Sequence, residues 1–139
     1  MAPDSTDSYV VDVHDFPAEP GLDPAEGWID MQVQFLVQAA NAGATELVVG
    51  RTIFPPGASR HERHRHHAAD EFVYVVRGQG VVLNGEDEIA VRAGHLAFHP
   101  KGIWHGFRNT SDTEEAEVIW AWGGAASRDE AGYEVHPQG

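Results

Sequence analysis

The chain has 139 residues, enough for one domain with its own core, and it has no cysteine, which excludes a disulfide framework, a zinc ribbon and a thiol nucleophile. Its formal net charge of −13, with histidine neutral, would repel nucleic-acid backbones and anionic lipids, so we expect a small-molecule partner rather than nucleic acid or membrane. The N-terminal residues lack the apolar run of a secretory signal, and together with the absence of cysteine this predicts a cytoplasmic protein.

Residues 1–27 are rich in proline and acidic side chains and predict an arm in front of the main domain. Within the arm, residues 9–13 could add an edge strand, and Asp23-Pro24-Ala25-Glu26 predicts a brief capped helical turn. The pattern changes at residue 28. We therefore divide the chain into an arm (1–27), a barrel domain (28–123) and a C-terminal tail (124–139).

From residue 28 onward, apolar and polar residues alternate, which predicts strands with one buried face. The first strand covers residues 28–37, and the turn signal Asn41-Ala42-Gly43 separates it from a second at 46–54. Asn84-Gly85 predicts a hairpin turn, and Ser127-Arg128-Asp129-Glu130 predicts a short helix near the end. Without crossover helices, the pattern predicts an all-β antiparallel barrel of the jelly-roll type, with further strands at residues 72–76, 81–83, 89–91, 96–98, 103–107 and 116–122.

The nine histidines are unevenly placed, and their spacing predicts a metal site. His64 and His66 would point to the same face of a strand, about 6.8 Å apart, so both imidazoles can reach one ion. Glu71 lies seven residues after His64, an odd number, so on one unbroken strand it would point to the opposite face. Residues 68–70 must therefore bend for its carboxylate to point inward. His105, which follows a Pro/Gly turn, is the candidate fourth ligand. The alternative is a solvated histidine-rich loop that binds metal only adventitiously.

Three imidazoles and one carboxylate form a donor set of borderline hardness. Such a set suits Fe(II), Mn, Ni, Co, Cu or Zn rather than Mg or Ca. In an octahedral ion, four protein ligands would leave two positions for a substrate, dioxygen or water.

Two stretches of the chain resemble the sequence motifs of the cupin superfamily. Residues 57–78 resemble the first motif, with one residue more than usual between its glycine and its first histidine, and residues 94–109 resemble the second, with His95 where aspartate is frequent. The resemblance implies a single-domain cupin barrel that binds one divalent transition metal ion, Fe(II) being favoured, through His64, His66, Glu71 and His105. The residues at the motifs' fixed positions are Gly57, His64, His66, Glu71 and Gly78, then Gly94, Pro100, Gly102, His105 and Asn109.

The same resemblance implies a metal-dependent enzyme that acts on a small oxygenated or aromatic compound. We expect an Fe(II)-type dioxygenase first. A redox-neutral lyase, decarboxylase or isomerase, and a non-catalytic cupin that binds a small ligand, remain as alternatives. A homodimer is also expected, because small cupins often pair through edge strands that would otherwise stay open.

Two further residues are candidates for catalysis. His99 would line the barrel mouth as a proton shuttle, or else face solvent. Arg51 shares a face with Val49 and Ile53 by alternation, and it would clamp an acidic substrate if that face is the interior one.

Aromatic and histidine residues near the motifs carry weaker expectations. Trp120 and Trp122 share a face, and one or both are expected to wall the pocket. His61 and His67 are expected to be exposed loop residues.

Overall fold

The structure, a computed structural model, describes residues 8–139. Within these residues the chain forms two antiparallel sheets that enclose one hydrophobic core, with two short helices and a 3₁₀ turn at Pro24–Glu26. The helices are α1 (Ala39–Ala42) and α2 (Arg128–Ala131). The strands are β1 (Trp28–Ile29), β2 (Gln32–Val37), β3 (Leu47–Phe54), β4 (Arg60–Arg65), β5 (Asp70–Arg77), β6 (Gln79–Asn84), β7 (Asp87–Arg92), β8 (Leu96–His99), β9 (His105–Arg108), β10 (Ala116–Gly123) and β11 (Glu134–Val135).

Each strand belongs to one of the two sheets. One sheet runs β1-β4-β9-β6-β7, with β11 as an additional partner of β4, and the other runs β2-β3-β10-β5-β8. This arrangement confirms the all-β, jelly-roll prediction. None of the helices in the described part of the chain is long and apolar enough to cross a membrane.

The single strand predicted over residues 28–37 is in fact two strands in different sheets. Asp30 lies between them with a φ of 54°, a left-handed conformation that aspartate tolerates better than most residues. The chain changes direction there, so β1 joins the first sheet and β2 the second. The apolar alternation continues through the break, which is why the sequence does not reveal it.

The N-terminal arm contacts β2 without forming the strand that residues 9–13 predicted. The Tyr9 hydroxyl donates to the Leu36 carbonyl at 2.7 Å, and the Gln34 amide donates to the carbonyls of Val13 and Phe16 at 2.7 Å each. Because the arm covers the outer side of β2, four consecutive residues, 33–36, are buried.

The other local predictions are close to the structure. Asp23 caps the 3₁₀ turn and Ser127 caps α2, each through a side-chain oxygen that accepts a backbone N–H. The Asn84-Gly85 hairpin joins β6 to β7, as predicted. The turn expected at residues 41–43 is the end of α1, which Gly43 closes with a φ of 71°.

Gly50 of β3 allows close packing in the core. A Cβ atom at this position would lie 1.9 Å from Cζ2 of Trp120, so the indole ring lies directly against the glycine backbone. The Trp120 indole N–H donates to the Thr52 hydroxyl at 2.9 Å, which holds the ring in that place.

We therefore predict that Gly50→Ala lowers the free energy of unfolding by about 1–3 kcal/mol or more, because the added methyl group must displace a buried indole. Urea denaturation followed by tryptophan fluorescence measures the change. Gly123→Ala is the matched control, since it also lies in a strand of this sheet and a Cβ there meets nothing within 4 Å. Equal stability of the two variants would contradict the packing described for Trp120.

Candidate metal centre

Strand register brings the four predicted ligands together. His64 on β4 lies directly opposite His105 on β9, and His66 follows the end of β4. Glu71 comes from β5 in the facing sheet. The chain bends at residues 67 and 68, between His66 and Glu71, and a bend is what an inward-pointing Glu71 requires. Ligands from both sheets therefore point into the space between them.

We call His64, His66, Glu71 and His105 the ligand cluster. One donor atom from each residue lies within 4.8 Å of the others, and all four side chains are buried. The cluster is a possible metal site of three imidazoles and one carboxylate.

The three imidazoles of the cluster present the same nitrogen to the centre. Nδ1 of His64 lies 2.8 Å from the Glu62 carbonyl, and Nδ1 of His105 lies 3.2 Å from the Ile103 carbonyl. Nδ1 of His66 lies 2.7 Å from the Gly132 carbonyl. Because a carbonyl oxygen only accepts hydrogen bonds, each Nδ1 carries the proton and each Nε2 of a neutral ring offers a lone pair.

His66 shows most directly that the cluster fits a cation. Its Nε2 is buried and has no hydrogen-bond donor or acceptor partner among the described residues, although it lies 3.2 Å from Oε1 of Glu71. With its proton on Nδ1, the ring turns a lone pair toward a carboxylate oxygen. A metal ion between these atoms would satisfy both of them.

Glu71 is oriented by a neighbour in its own sheet. Trp122 lies opposite Glu71 in the β5–β10 register, and its indole N–H donates to Oε1 at 2.6 Å. Burial raises the pKa of the Glu71 carboxyl, but the neighbouring His105 outweighs this effect and holds the pKa well below its usual range. The group is therefore a carboxylate, the form that binds metal.

The pKa values of the two opposed histidines, His64 and His105, shift in opposite directions, although burial lowers both. Burial is the main cause that lowers the pKa of His64 well below its ordinary value, so its ring is neutral. Burial also lowers the pKa of His105, but the Glu71 carboxylate, whose Oε1 is 3.3 Å from Nε2, outweighs it and raises the pKa. A proton on His105 thus compensates Glu71 where a metal ion otherwise would.

The cluster forms one wall of a narrow cavity of about 40 Å³, the volume of a few water molecules. Thr52, His61 and His99 add polar groups. Trp120 and Trp122 both wall the cavity, as expected from their shared face. The rest of the lining is aromatic and aliphatic: Trp28, Met31, Phe54, Val73, Phe107 and Val118.

His99 lies inside the barrel next to the cluster. It is 1% exposed, its ring stacks on His105 at a centroid distance of 4.4 Å, and its Nδ1 donates to Asn84 Oδ1 at 3.1 Å. Burial, followed by the effect of His105, lowers its pKa to about 4, so the ring is neutral at pH 7. Of the two orientations considered for His99, the structure has the one that lines the cavity.

Arg51 does not reach the cluster, and the inward orientation considered for it is wrong. Its Nε donates to Glu117 at 2.7 Å and its Nη1 to Gln34 at 3.2 Å, on the outer face of the sheet. Thr52 and Phe54 on the same strand line the cavity, which places residue 51 on the opposite face. Val13 and Phe16 of the N-terminal arm line one groove with Arg51 and Ile53, so the arm shelters apolar residues on this outer face as well.

His61 differs from its neighbour His67. His67 is exposed, as expected, and pairs with Glu134. His61, expected in an exposed loop, instead packs between Trp28 and His64 at centroid distances of 4.2 and 3.7 Å. In the sequence, the only sign of this packing is that His61 lies close to His64, the first histidine of the first motif.

The chain is similar to known proteins in family, sequence and structure. The family model described as "Cupin domain" matches residues 50–122. Protein SchB of Streptomyces halstedii is 35% identical over 101 residues, which are 73% of this chain and 72% of SchB. Polyketide synthase CurC of Streptomyces cyaneus is 38% identical over 86 residues, 61% of this chain and only 54% of CurC, about half of that relative's length.

Among solved structures, the polyketide cyclase RemF from Streptomyces resistomycificus has a similar fold. The TM-score is 0.70 at 20% identity, over 82% of this chain and 78% of RemF. At this identity the likeness concerns the fold alone.

We predict that His105→Ala and Glu71→Ala each lower the metal content of the purified protein several-fold, because each removes a donor from the cluster. Elemental analysis after purification without added metal measures this. Arg51→Gln is the control and should keep the wild-type metal content, although it loses its ion pair with Glu117. Unchanged metal content in both ligand variants would mean that the site is elsewhere.

Proposed function

This chain belongs to the cupin domain family, and we propose that it is a mononuclear metal-dependent enzyme acting on a small oxygenated or aromatic organic substrate. The observation that supports this most strongly is the convergence of three Nε2 atoms and one carboxylate in a buried, aromatic-walled cavity. Apolar cavities with a few converging polar groups are the usual form of small-molecule sites.

The proposed cofactor is one divalent transition metal ion in the ligand cluster. Its donor set favours Fe(II), with Mn, Ni, Zn, Co and Cu as alternatives. The ion, when bound, would supply a Lewis acid that polarises a substrate oxygen and, in the case of iron, would supply an electron for oxygen chemistry.

The cavity walls support an aromatic or polyketone substrate. Trp28, Phe54 and Phe107 offer flat apolar surfaces on which rings can stack. Polar atoms gather at the ligand cluster and at His99. A substrate would therefore place its oxygen atoms at the cluster and its carbon skeleton against the aromatic walls.

We place a redox-neutral cyclisation first among the reactions. The names of one sequence relative, a polyketide synthase, and of one structural neighbour, a polyketide cyclase, support this order. In an aldol-type closure, Nε2 of neutral His99 would take a proton from the carbon next to a carbonyl. That carbon would form the new bond to a second carbonyl carbon, and His99 would return the proton to the resulting oxygen. No oxidant is needed.

An Fe(II)-dependent dioxygenase, expected first from the donor set, becomes the second candidate. Three imidazoles and a carboxylate leave two coordination positions in an octahedral ion, enough for a substrate and dioxygen together. The aromatic cavity is equally compatible with this reaction.

The two reactions differ in their need for iron and oxygen. We predict that aromatic polyketone substrates are converted with Mn(II) or Zn(II) under nitrogen, to products of equal mass or lighter by one water, and that an oxygen electrode records no uptake. Uptake with Fe(II) only, and products that gain oxygen atoms, would establish the dioxygenase instead. Calorimetric binding without turnover under any metal would indicate a ligand-binding cupin.

His99→Gln tests the proposed proton transfer in the same assay. It should lower kcat about 10²–10⁴-fold and leave the metal content unchanged. Wild-type turnover in this variant would rule out the role of His99.

We also propose the homodimer expected from the sequence, with β8 as the contact strand. β8 ends its sheet, and its exposed Leu96 and Phe98 lie opposite the exposed Tyr74 and Phe72 of β5. None of these four residues is charged, in a chain of net charge −13. The proposed partner is a second copy of this chain, because an open strand edge and an apolar face can each pair with themselves about a two-fold axis.

We predict that Phe98→Glu shifts the protein toward monomer in sedimentation experiments, since it puts a charge into the proposed contact. Leu47→Glu is the control, an exposed apolar residue two strands further along the sheet from β5. Added salt should strengthen the dimer, because screening weakens the repulsion between two acidic copies. A wild-type protein that stays monomeric at all accessible concentrations would contradict the dimer.

A further inference from the structure

We propose that the C-terminal segment, residues 127–139, is part of the metal centre and determines how tightly the ion is held. The inference rests on the proposed metal binding and adds to it a segment beyond residues 50–122, which the family model matches. Three sets of contacts support it: a strand pairing, a carbonyl group and an aromatic ring.

The first contact is the pairing of β11 with β4, the strand that carries His64. Val135 lies opposite His64 and Glu134 opposite Arg65. On either side of this pair, the His136 N–H donates to the Arg63 carbonyl at 2.8 Å and the Ala68 N–H to the Ala131 carbonyl at 3.0 Å. The segment therefore follows β4 and the loop after it, past both metal-binding histidines of this stretch.

The second contact is the Gly132 carbonyl, which accepts the Nδ1 proton of His66 at 2.7 Å. His64 and His105 bond to carbonyls only two residues away, at Glu62 and Ile103, so the local backbone orients their rings. His66 lies beyond the end of β4, and its partner is 66 residues distant. The direction of its Nε2 therefore depends on the C-terminal segment.

The third contact is the ring of Tyr133, which covers the outer side of the cluster. It stacks on His64 at 5.2 Å and on Trp28 at 5.3 Å between ring centroids. Its hydroxyl donates to the Glu26 carbonyl and therefore accepts from Nε2 of His61, at 2.9 Å. Trp28 and Tyr133 also line a pocket on the outer side, so together they separate the cluster from that pocket.

These contacts act on metal retention in two ways. A carbonyl that holds the Nδ1 proton fixes the tautomer and direction of a metal-binding imidazole, and loss of such a partner typically costs 10–100-fold in metal affinity. A ring over the cluster slows the entry of water and chelators. Both effects come from residues that follow β10.

Gly132→Ala is the sharpest test. Gly132 has a φ of 79°, which alanine adopts poorly, while the nearest atom to a new Cβ would be 3.6 Å away, so the change acts on the backbone and not by a clash. The matched control is Gly57→Ala. Its φ is 105°, its Cβ would meet nothing within 4 Å, and the length of β4 separates it from His66.

The probe is Co(II), whose visible absorption reports its coordination, with competition by a chelator for affinity and excess EDTA for the release rate. We expect Gly132→Ala to raise the Kd about 10–100-fold and to change the Co(II) spectrum. Gly57→Ala should lose similar unfolding free energy in the metal-free state but keep its Kd within about threefold. Equal Kd values for the two variants would overturn the inference.

Tyr133 provides a second pair of variants in case Gly132→Ala does not fold. Tyr133→Ala should release Co(II) at least about tenfold faster, whereas Tyr133→Phe, which keeps the ring, should stay near the wild-type rate. Equal release rates in the two would also overturn the inference. Failure of the wild type to take up Co(II) would instead refute the proposed metal binding itself.

Discussion

The structure depends on one electrostatic constraint, which is that several hydrogen-bond acceptors face each other in a buried space. Nε2 of His66 and Nε2 of His105 lie 3.2 and 3.3 Å from the same carboxylate oxygen of Glu71. Burying such a group without a compensating positive charge is costly. A proton on His105 relieves part of this cost, and a metal ion would compensate the carboxylate and both Nε2 atoms.

The β-ladders explain why these side chains meet. In one sheet, Glu71 lies between Trp122 and His99 on its neighbouring strands, and in the other, His105 lies between His64 and Asn84. Each row of three is set by backbone hydrogen bonds. The chemistry of the centre therefore depends on how the two sheets are placed against each other.

The ligand cluster could be predicted because its residues lie in two short sequence motifs. His64 and His66 are two residues apart, and the Pro/Gly turn before His105 belongs to a second short motif. Alternation shows which residues share a face but not which face is interior, so the orientation considered for Arg51 was wrong. The Gly132–His66 contact joins residues 66 positions apart, and no local pattern records it.

The hydrogen bond between Asn84 and His99 joins β6 to β8, strands of different sheets. A bond of this kind contributes about 0.5–1.5 kcal/mol, much less than a backbone ladder of several bonds. The link between the two sheets at this point is therefore weaker than the ladder between paired strands. A cavity of about 40 Å³ holds only a few water molecules, so a polycyclic substrate would fit only if this link opened.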